Sequence, residues 1–303
     1  MDDHLTEINT LEKGCWVHLH NPTREEIDGL NARFALDPTY LQAALDEEES
    51  ARIERDGNQT LIIVDIPYIE TEGNGYSYTT IPMGIIMVDE VIITVSTRES
   101  TLITDFTEER IRGFWTFKRT RFLLQLLHRN AARYLSYLKQ IDKASQFVQK
   151  RLETDMRNQE LLQMMKLEKS LVFFSTSLKG NEMVLEKMMR MDMLRKYPDD
   201  SELLEDVIIE NKQAMEMCAI YRDILSGTMD AFASIISNNL NIVMKILTSL
   251  TIIMAIPTLF ASLWGMNVGV PFQQNPFGFW IVIALALVVS AGAFVVLWRK
   301  KMF

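Results

Sequence analysis

The sequence predicts an α+β amino-terminal domain that passes into an almost wholly helical remainder and ends in two membrane spans. Three observations carry this. Strand-like runs rich in Ile, Val, Thr and Tyr crowd the segment from Gln59 to Ser96. After residue 120 the pattern turns helical, and between there and Pro271 the only prolines are Pro198 and Pro257. From Ile246 to Trp298 there is no Asp, Glu, Lys or Arg at all, and each half of that stretch approaches the ~20 apolar residues a membrane helix needs.

Taken in order, Cys15 to His20 reads as a short strand. Asn21-Pro22-Thr23 then opens a helix over EEIDGLNARF, and Asp37-Pro38 punctuates before a second helix through Leu45. Strands follow at Gln59–Ile69, Tyr76–Val88 and Val91–Ser96. The turn Glu72-Gly73-Asn74-Gly75 makes the first two a hairpin, and Asp89-Glu90 turns the second into the third, so the sheet is largely antiparallel. Helical periodicity then runs from Arg121 to Asp155 and from Gln159 to Lys196. Tyr197-Pro198 breaks it, and Pro198-Asp199-Asp200-Ser201-Glu202 restarts it with acids in the first turn. A helix unbroken from Ser201 to Trp264 extends roughly 96 Å. The second span, Phe279 to Trp298, has aromatics at both ends and Ser290 as its one polar group, and is read as lipid-facing.

The net charge of −9 hides an asymmetry. Residues 1–112 hold 23 acidic and 8 basic groups, a balance of −15. The remainder, 40 − 23 = 17 acidic against 31 − 8 = 23 basic, balances at +6. An acidic half argues against nucleic acid and for cations as partners. Cys15 and Cys218 are too few and too far apart for a disulfide framework or a zinc site. The start, MDDHLTEINT, lacks a signal peptide's charged and apolar regions. Lys245 before the charge-free run and Arg299, Lys300 and Lys301 after it place both termini in the cytoplasm by the positive-inside rule.

Within the first span, Asn241, Met244, Thr248, Thr251, Ala255, Thr258, Ser262 and Gly265 recur at alternating spacings of three and four, one face of a helix. Backward, the face picks up Gly227, Asp230, Ser234 and Ser237. Small and hydroxyl residues there suit either tight packing between membrane helices or the wall of a pore. Two spans cannot enclose a channel alone, so the pore reading requires several copies around an axis. No GxSxG, GxxxxGK[ST] or post-strand GxGxxG occurs, so neither an enzyme nor an organic cofactor is expected. Of His4, His18, His20 and His128, only His18 and His20 share a strand face. The many methionines between Met156 and Met217 read as core packing.

Trp264-Gly265-Met266-Asn267 at the outer end of the first of two carboxy-terminal spans resembles the [YW]-Gly-Met-Asn signature of CorA-type magnesium channels. The NxxMKxLT pattern from Asn241 to Thr248, the segment Arg222-Asp223-Ile224-Leu225-Ser226-Gly227, the basic tail and the acidic amino-terminal domain extend the likeness over nearly the whole chain. The resemblance implies a homopentamer with an αβα cytosolic funnel. Its domains would be a cytosolic α/β domain at 1–120, an antiparallel helical pair at 121–197, a stalk at 198–245, a pore-lining span at 246–266, an outer loop at 267–277, a second span at 278–298 and a basic cytosolic tail at 299–303. It implies a selectivity filter of Gly265, Met266 and Asn267. Pore rings would come from Asp230, Asn241 and Thr258, with Thr248, Thr251, Ala255 and Ser262 on the same wall, an apolar constriction from Met244 and Leu247, and a basic collar from Lys245 with Arg299, Lys300 and Lys301. A hydrated Mg²⁺, which sheds water reluctantly, would be held through its waters by neutral carbonyl oxygens.

Two departures stand out. The family's regulatory metal site pairs a stalk aspartate with an aspartate of the neighbouring funnel; Asp206 matches the first position, but Ala43 stands at the second, with Asp46, Glu47, Glu48 and Glu49 close by as substitutes. The outer loop, Val268 to Phe277, carries no acids. The implied function is a homopentameric channel in the bacterial inner membrane for Mg²⁺, secondarily Co²⁺ or Ni²⁺, driven by membrane potential and gated by cytosolic Mg²⁺. A zinc transporter of the ZntB type and a membrane-anchored sensor are the alternatives.

Overall fold

The computed structural model describes residues 5–72, 75–111, 113–154, 158–191, 198–272 and 274–302. It divides into two compact units, Met1–Gly227 and Thr228–Phe303.

The first unit is built on a five-stranded sheet. Strands β1 (Trp16–His20), β2 (Arg52–Asp56), β3 (Gln59–Glu72), β4 (Gly75–Val88) and β5 (Val91–Ser96) lie in the order β1-β5-β4-β3-β2. Only β1 and β5 run parallel; the other neighbours are antiparallel, with Glu72 paired to Gly75 across the expected hairpin. The turn residues Gly73 and Asn74 lie outside the described residues, as does His4. The runs LIIV in β3 and IIMV in β4 are apolar without alternation because both sheet faces are covered. Helices α1 (Arg24–Phe34) and α2 (Pro38–Ala43) cover one face, where Leu30, Leu36 and Leu41 meet Leu61, Ile63, Ile86 and Val95. On the other face α3 (Thr101–Thr107), α4 (Arg119–Thr154), α5 (Asn158–Met189) and the beginning of α6 (Pro198–Trp264) contribute Phe106, Phe122, Leu124, Val184, Leu185 and Val207 against Ile62, Val64, Met83 and Ile85. The result is the expected α+β unit in three layers, helix–sheet–helix.

Local chemistry sets these elements. Thr23 and Glu26 form a reciprocal capping box at the start of α1, and Ala35 closes it in the left-handed region. The first layer approaches the sheet closely at one point: a Cβ on Gly84 of β4 would lie 2.3 Å from the Cβ of Ala44, just past α2. Strand β2 and helix α3 are not foreseen in the sequence. RIERD is a charged edge strand with no apolar alternation, and TLITDFT looks β-like but is started as a helix by the Ser100 hydroxyl, which accepts from the Leu102 N–H. Helix α5 ends at Met189, short of the expected Lys196, and 192–197 lie outside the described residues. Its methionines split: Met164 and Met188 are core, whereas Met165, Met183 and Met189 are exposed.

Beside the sheet, one buried carboxylate is matched by several cations. Asp105 of α3, 2 % exposed at its side chain, receives Arg129 at 2.8 Å, Arg133, and Arg110 at 3.5 Å. Burial works against its ionisation, but these guanidinium partners outweigh it and hold its carboxyl below the usual carboxylate range. His18 donates to or accepts from the Thr94 hydroxyl at 3.0 Å. Burial, and then the nearby His20, lower its pKa. Both cysteines are free and buried.

The second unit consists of the last part of α6 and helix α7 (Gly278–Arg299), both long and apolar enough to cross a membrane. The two ends of the charge-free run in the sequence coincide with these helices.

Candidate functional site

The membrane half of α6 presents two faces of different character. Ser249 is buried, and Ile253, Ile256, Phe260 and Trp264 are half-buried. At about 100° per residue these five share one side. With Ala286 and Ser290 buried on α7, this is the side on which the two spans meet. An apolar cavity of about 450 Å³ remains between them, lined by Pro257, Phe260 and Trp264 from α6 and by Phe279, Val282 and Ala286 from α7.

Thr248, Thr251, Ala255, Thr258 and Ser262 centre about 160° away from that side by the same rotation, and all are exposed. Asp230, Asn241, Met244 and Leu247 continue the face, also exposed. The polar stripe is therefore not the contact surface for the chain's own second span, which removes packing against α7 as its explanation. The surface is a shallow groove, about 590 Å³, floored by Thr251, Met254, Ala255, Thr258, Leu259 and Ser262.

Its hydroxyls are oriented by the helix itself. Thr251 donates to the Leu247 carbonyl at 2.8 Å, Thr258 to Met254 at 3.1 Å, and Ser234 to Asp230 at 3.0 Å. With each proton committed to a backbone oxygen, what the hydroxyls offer outward is lone pairs. Outward lone pairs at these three positions suit a cation and its water shell. The Thr258–Met254 bond also lies beside Pro257, whose missing N–H leaves the Ile253 carbonyl without its helical partner.

The helix ends at Trp264, and the Gly265 N–H still donates to Ala261 at 2.9 Å. Neither Gly265 nor Asn267 has a positive φ. The signature is therefore not used as a left-handed C-cap. Met266 and Asn267 are exposed, and the Asn267 amide has no partner among the described residues. Beyond it Trp264 stacks on Phe272, the ring planes 11° apart.

At the opposite end of the unit, Lys245 and Arg299, Lys300 and Lys301 are exposed. The end of α7 turns through a left-handed Lys301: its N–H donates to Trp298 at 3.0 Å, and the Met302 N–H to Leu297 at 3.1 Å, the paired bonds of a Schellman motif. The Ser249 hydroxyl reaches the Met302 carbonyl at 3.5 Å. That contact sets the tail one turn from Lys245, so the four basic residues gather at one level. Nothing in the sequence pointed to Ser249 or Met302; a lone serine on an apolar helix and a penultimate methionine carry no spacing signal.

The residues implied for regulation belong to the first unit. Asp206 is exposed on α6. Asp46 accepts from the Glu48 N–H at 3.0 Å, Glu47 pairs with Arg98 at 3.3 Å, and Glu49 with Arg52. Among the described residues no three His, Cys, Asp or Glu side chains are grouped to hold a metal.

Residues 12–301 match the model of the CorA-like Mg²⁺ transporter protein family. The cobalt/magnesium transport protein CorA of Methanocaldococcus jannaschii is 28 % identical, over 94 % of this chain and 90 % of its own. That of Thermotoga maritima is 25 % identical over 94 % and 82 %. The complete structure of the CorA magnesium transporter from M. jannaschii superposes with a TM-score of 0.83, covering 96 % of this chain and 92 % of the other at 27 % identity. The match runs through the sheet layer, the long helix and both apolar spans, and on it the chain belongs to the CorA-like Mg²⁺ transporter family.

Proposed function

We propose that the chain is a homopentameric channel that passes Mg²⁺, and secondarily Co²⁺ or Ni²⁺, across the plasma membrane with both termini in the cytoplasm. The observation that carries this is the face of α6 turned away from α7, an unpartnered line of acceptor oxygens from Asp230 to Ser262. One chain leaves it facing nothing; copies arranged about an axis give it water and ions to face. At the outer mouth the neutral amide of Asn267 with the backbone of Gly265 accepts hydrogen bonds from the waters of a hydrated ion, and neutrality lets the ion leave. Further in, Met244 and Leu247 form an apolar ring that blocks ions when it dries. The basic collar of Lys245 and Arg299 to Lys301 surrounds the inner end. The membrane potential supplies about 4.6 kcal/mol for two charges through 100 mV.

Cytosolic Mg²⁺ closes this channel by bridging Asp206 to the carboxylates after α2 in the neighbouring copy. The decisive experiment is Mg²⁺ uptake by liposomes holding Asn267→Gly or Asn267→Asp, with size-exclusion profiles as the assembly control. Gly removes the acceptor amide and Asp makes a charged ring that retains the ion, so uptake should fall on the order of tenfold or more in both. Assembled variants with parental uptake would sink the filter assignment.

A further inference from the structure

Strand β3 contains a single acidic residue within its apolar stretch, Asp65, between Val64 and Ile66, each 1 % exposed. The β2–β3 ladder stops two residues before it, at Arg52 opposite Ile63. By the alternation of an antiparallel ladder, the N–H and C=O of Asp65 point to the side where β2 would continue. Helix side chains take the place of that strand. The Asn181 Oδ1 of α5 accepts from the Asp65 N–H at 2.9 Å, and its Nδ2 donates to the Asp65 carbonyl at 2.8 Å. The same carbonyl receives Asn130 Nδ2 at 2.9 Å and the Tyr134 hydroxyl at 3.2 Å, both from α4. One residue of the sheet thus clamps two helices.

The carboxylate of this residue is poorly provided for. No Lys, Arg or His pairs with it among the described residues. The titratable and polar groups around it are Ser177 and Asn181 of α5, Asn130 and Tyr134 of α4, and, beyond Tyr134, Cys218 of α6; across the ladder stands Pro82. Ser177 is hydrogen-bonded to the carboxyl and also reaches the Thr80 hydroxyl at 2.8 Å, so its single proton is shared, and Tyr134 donates to the backbone. Asn130, 3 % exposed, keeps a buried Oδ1 with no donor at all. The carboxyl thus has a shared hydroxyl and, among the described residues, no cationic partner to hold its charge.

We infer that Asp65 is a proton-binding site that sets how firmly α4 and α5 grip β3. In the reaction a proton from water joins one carboxylate oxygen. No bond within the protein breaks, and the carboxyl keeps Ser177 as its hydrogen-bond partner. Neutral, the residue rests in the helix–sheet interface; ionised, it pulls toward solvent against the Asn181 clamp. Burial raises its affinity for the proton above that of an ordinary carboxyl, so the sign is fixed: its contribution to stability is full below the unfolded-state pKa and is lost as pH rises through the higher folded-state pKa.

The test uses the purified full chain. Melting temperature is followed from pH 4 to pH 8 for the parent and Asp65→Asn, with exchange of the residue 65 amide measured alongside. Asp65→Asn should melt higher than the parent at pH 8, by roughly 3–5 °C for each tenfold gain in proton affinity, and its residue 65 amide should lose the parent's pH-dependent opening. Parallel curves would overturn the proposal. So would a parent stabilised at pH 8 by Mg²⁺ or K⁺ when Asp65→Asn is not, since the cluster would then take a metal cation. If the variant does not fold, the parent's infrared spectrum decides: a protonated-carboxyl band persisting well above the ordinary carboxyl range supports the site, and its absence ends the idea.

Discussion

The two units of this chain treat polar groups in opposite ways. In the first, charge is settled inside one copy: Asp105 holds three arginines, Glu160 of α5 takes Arg151 at 2.8 Å, and Arg98 joins Glu47 to Glu70. In the second, the row from Asp230 to Asn267 is exposed, and its Ser234, Thr251 and Thr258 hydroxyls bond only to carbonyls of their own helix among the described residues. A folded unit leaves groups unmatched where something outside the chain is to match them. Apart from Asp65 and the exposed Asp206, the first unit can be understood as a finished object, and the second as one part of an assembly.

Four experiments break or sharpen this contrast. The largest effect belongs to the finished unit: Gly84→Val forces side-chain atoms into Ala44 and should cost about 3 kcal/mol or more of stability, read by chemical denaturation, because close-packed layers cannot move apart locally. Little loss would show that α2 slides freely on the sheet. Next, Thr251→Leu with Thr258→Leu replaces acceptors by hydrocarbon and should lower Mg²⁺ uptake on the order of tenfold, while Ile253→Leu with Ile256→Leu, on the face toward α7, should leave it nearly intact. Equal losses from both pairs would erase the distinction between the faces.

Smaller, and of opposite sign, is the gate. Leu247→Ser wets the apolar ring and should raise uptake at high inner Mg²⁺ several-fold on an order-of-magnitude view. Asp206→Ala should weaken inner Mg²⁺ inhibition by a similar or lesser factor, and unchanged inhibition moves the regulatory site away from α6. A pH control accompanies the first unit. Asp105, with its lowered pKa, stabilises the fold above its unfolded-state pKa near 4 and loses that contribution as pH falls through the folded value. Acid titration of Asp105→Asn should show a shallower decline than the parent.

Much of this was legible in the chain. The spans announce themselves because fifty consecutive residues without charge have few alternatives, and the strands β3 to β5 because β-branched runs between turn residues do too. The polar stripe was visible as spacing, but its meaning was not: periodicity places residues on a face without saying what the face meets. That required the second span to be seen on the other side, at Ser249, Ile253 and Phe260. Asp65 was invisible for a related reason. A carboxylate in an apolar strand reads as a surface position, and only the early end of β2 together with Asn130, Tyr134 and Asn181, from distant parts of the sequence, turns it into the centre of a clamp.

The contact between Gly84 and Ala44 bears on mechanics. The turn that holds Asp46 to Glu49 begins two residues after Ala44, whose Cβ sits in the notch left by a residue with no side chain. A roll or slip of this helix along the strand would move Ala44 out of that notch and against side chains that leave it no such room. A pull on the acidic turn would therefore bear on the sheet through the seat at Gly84 as well as on the loop.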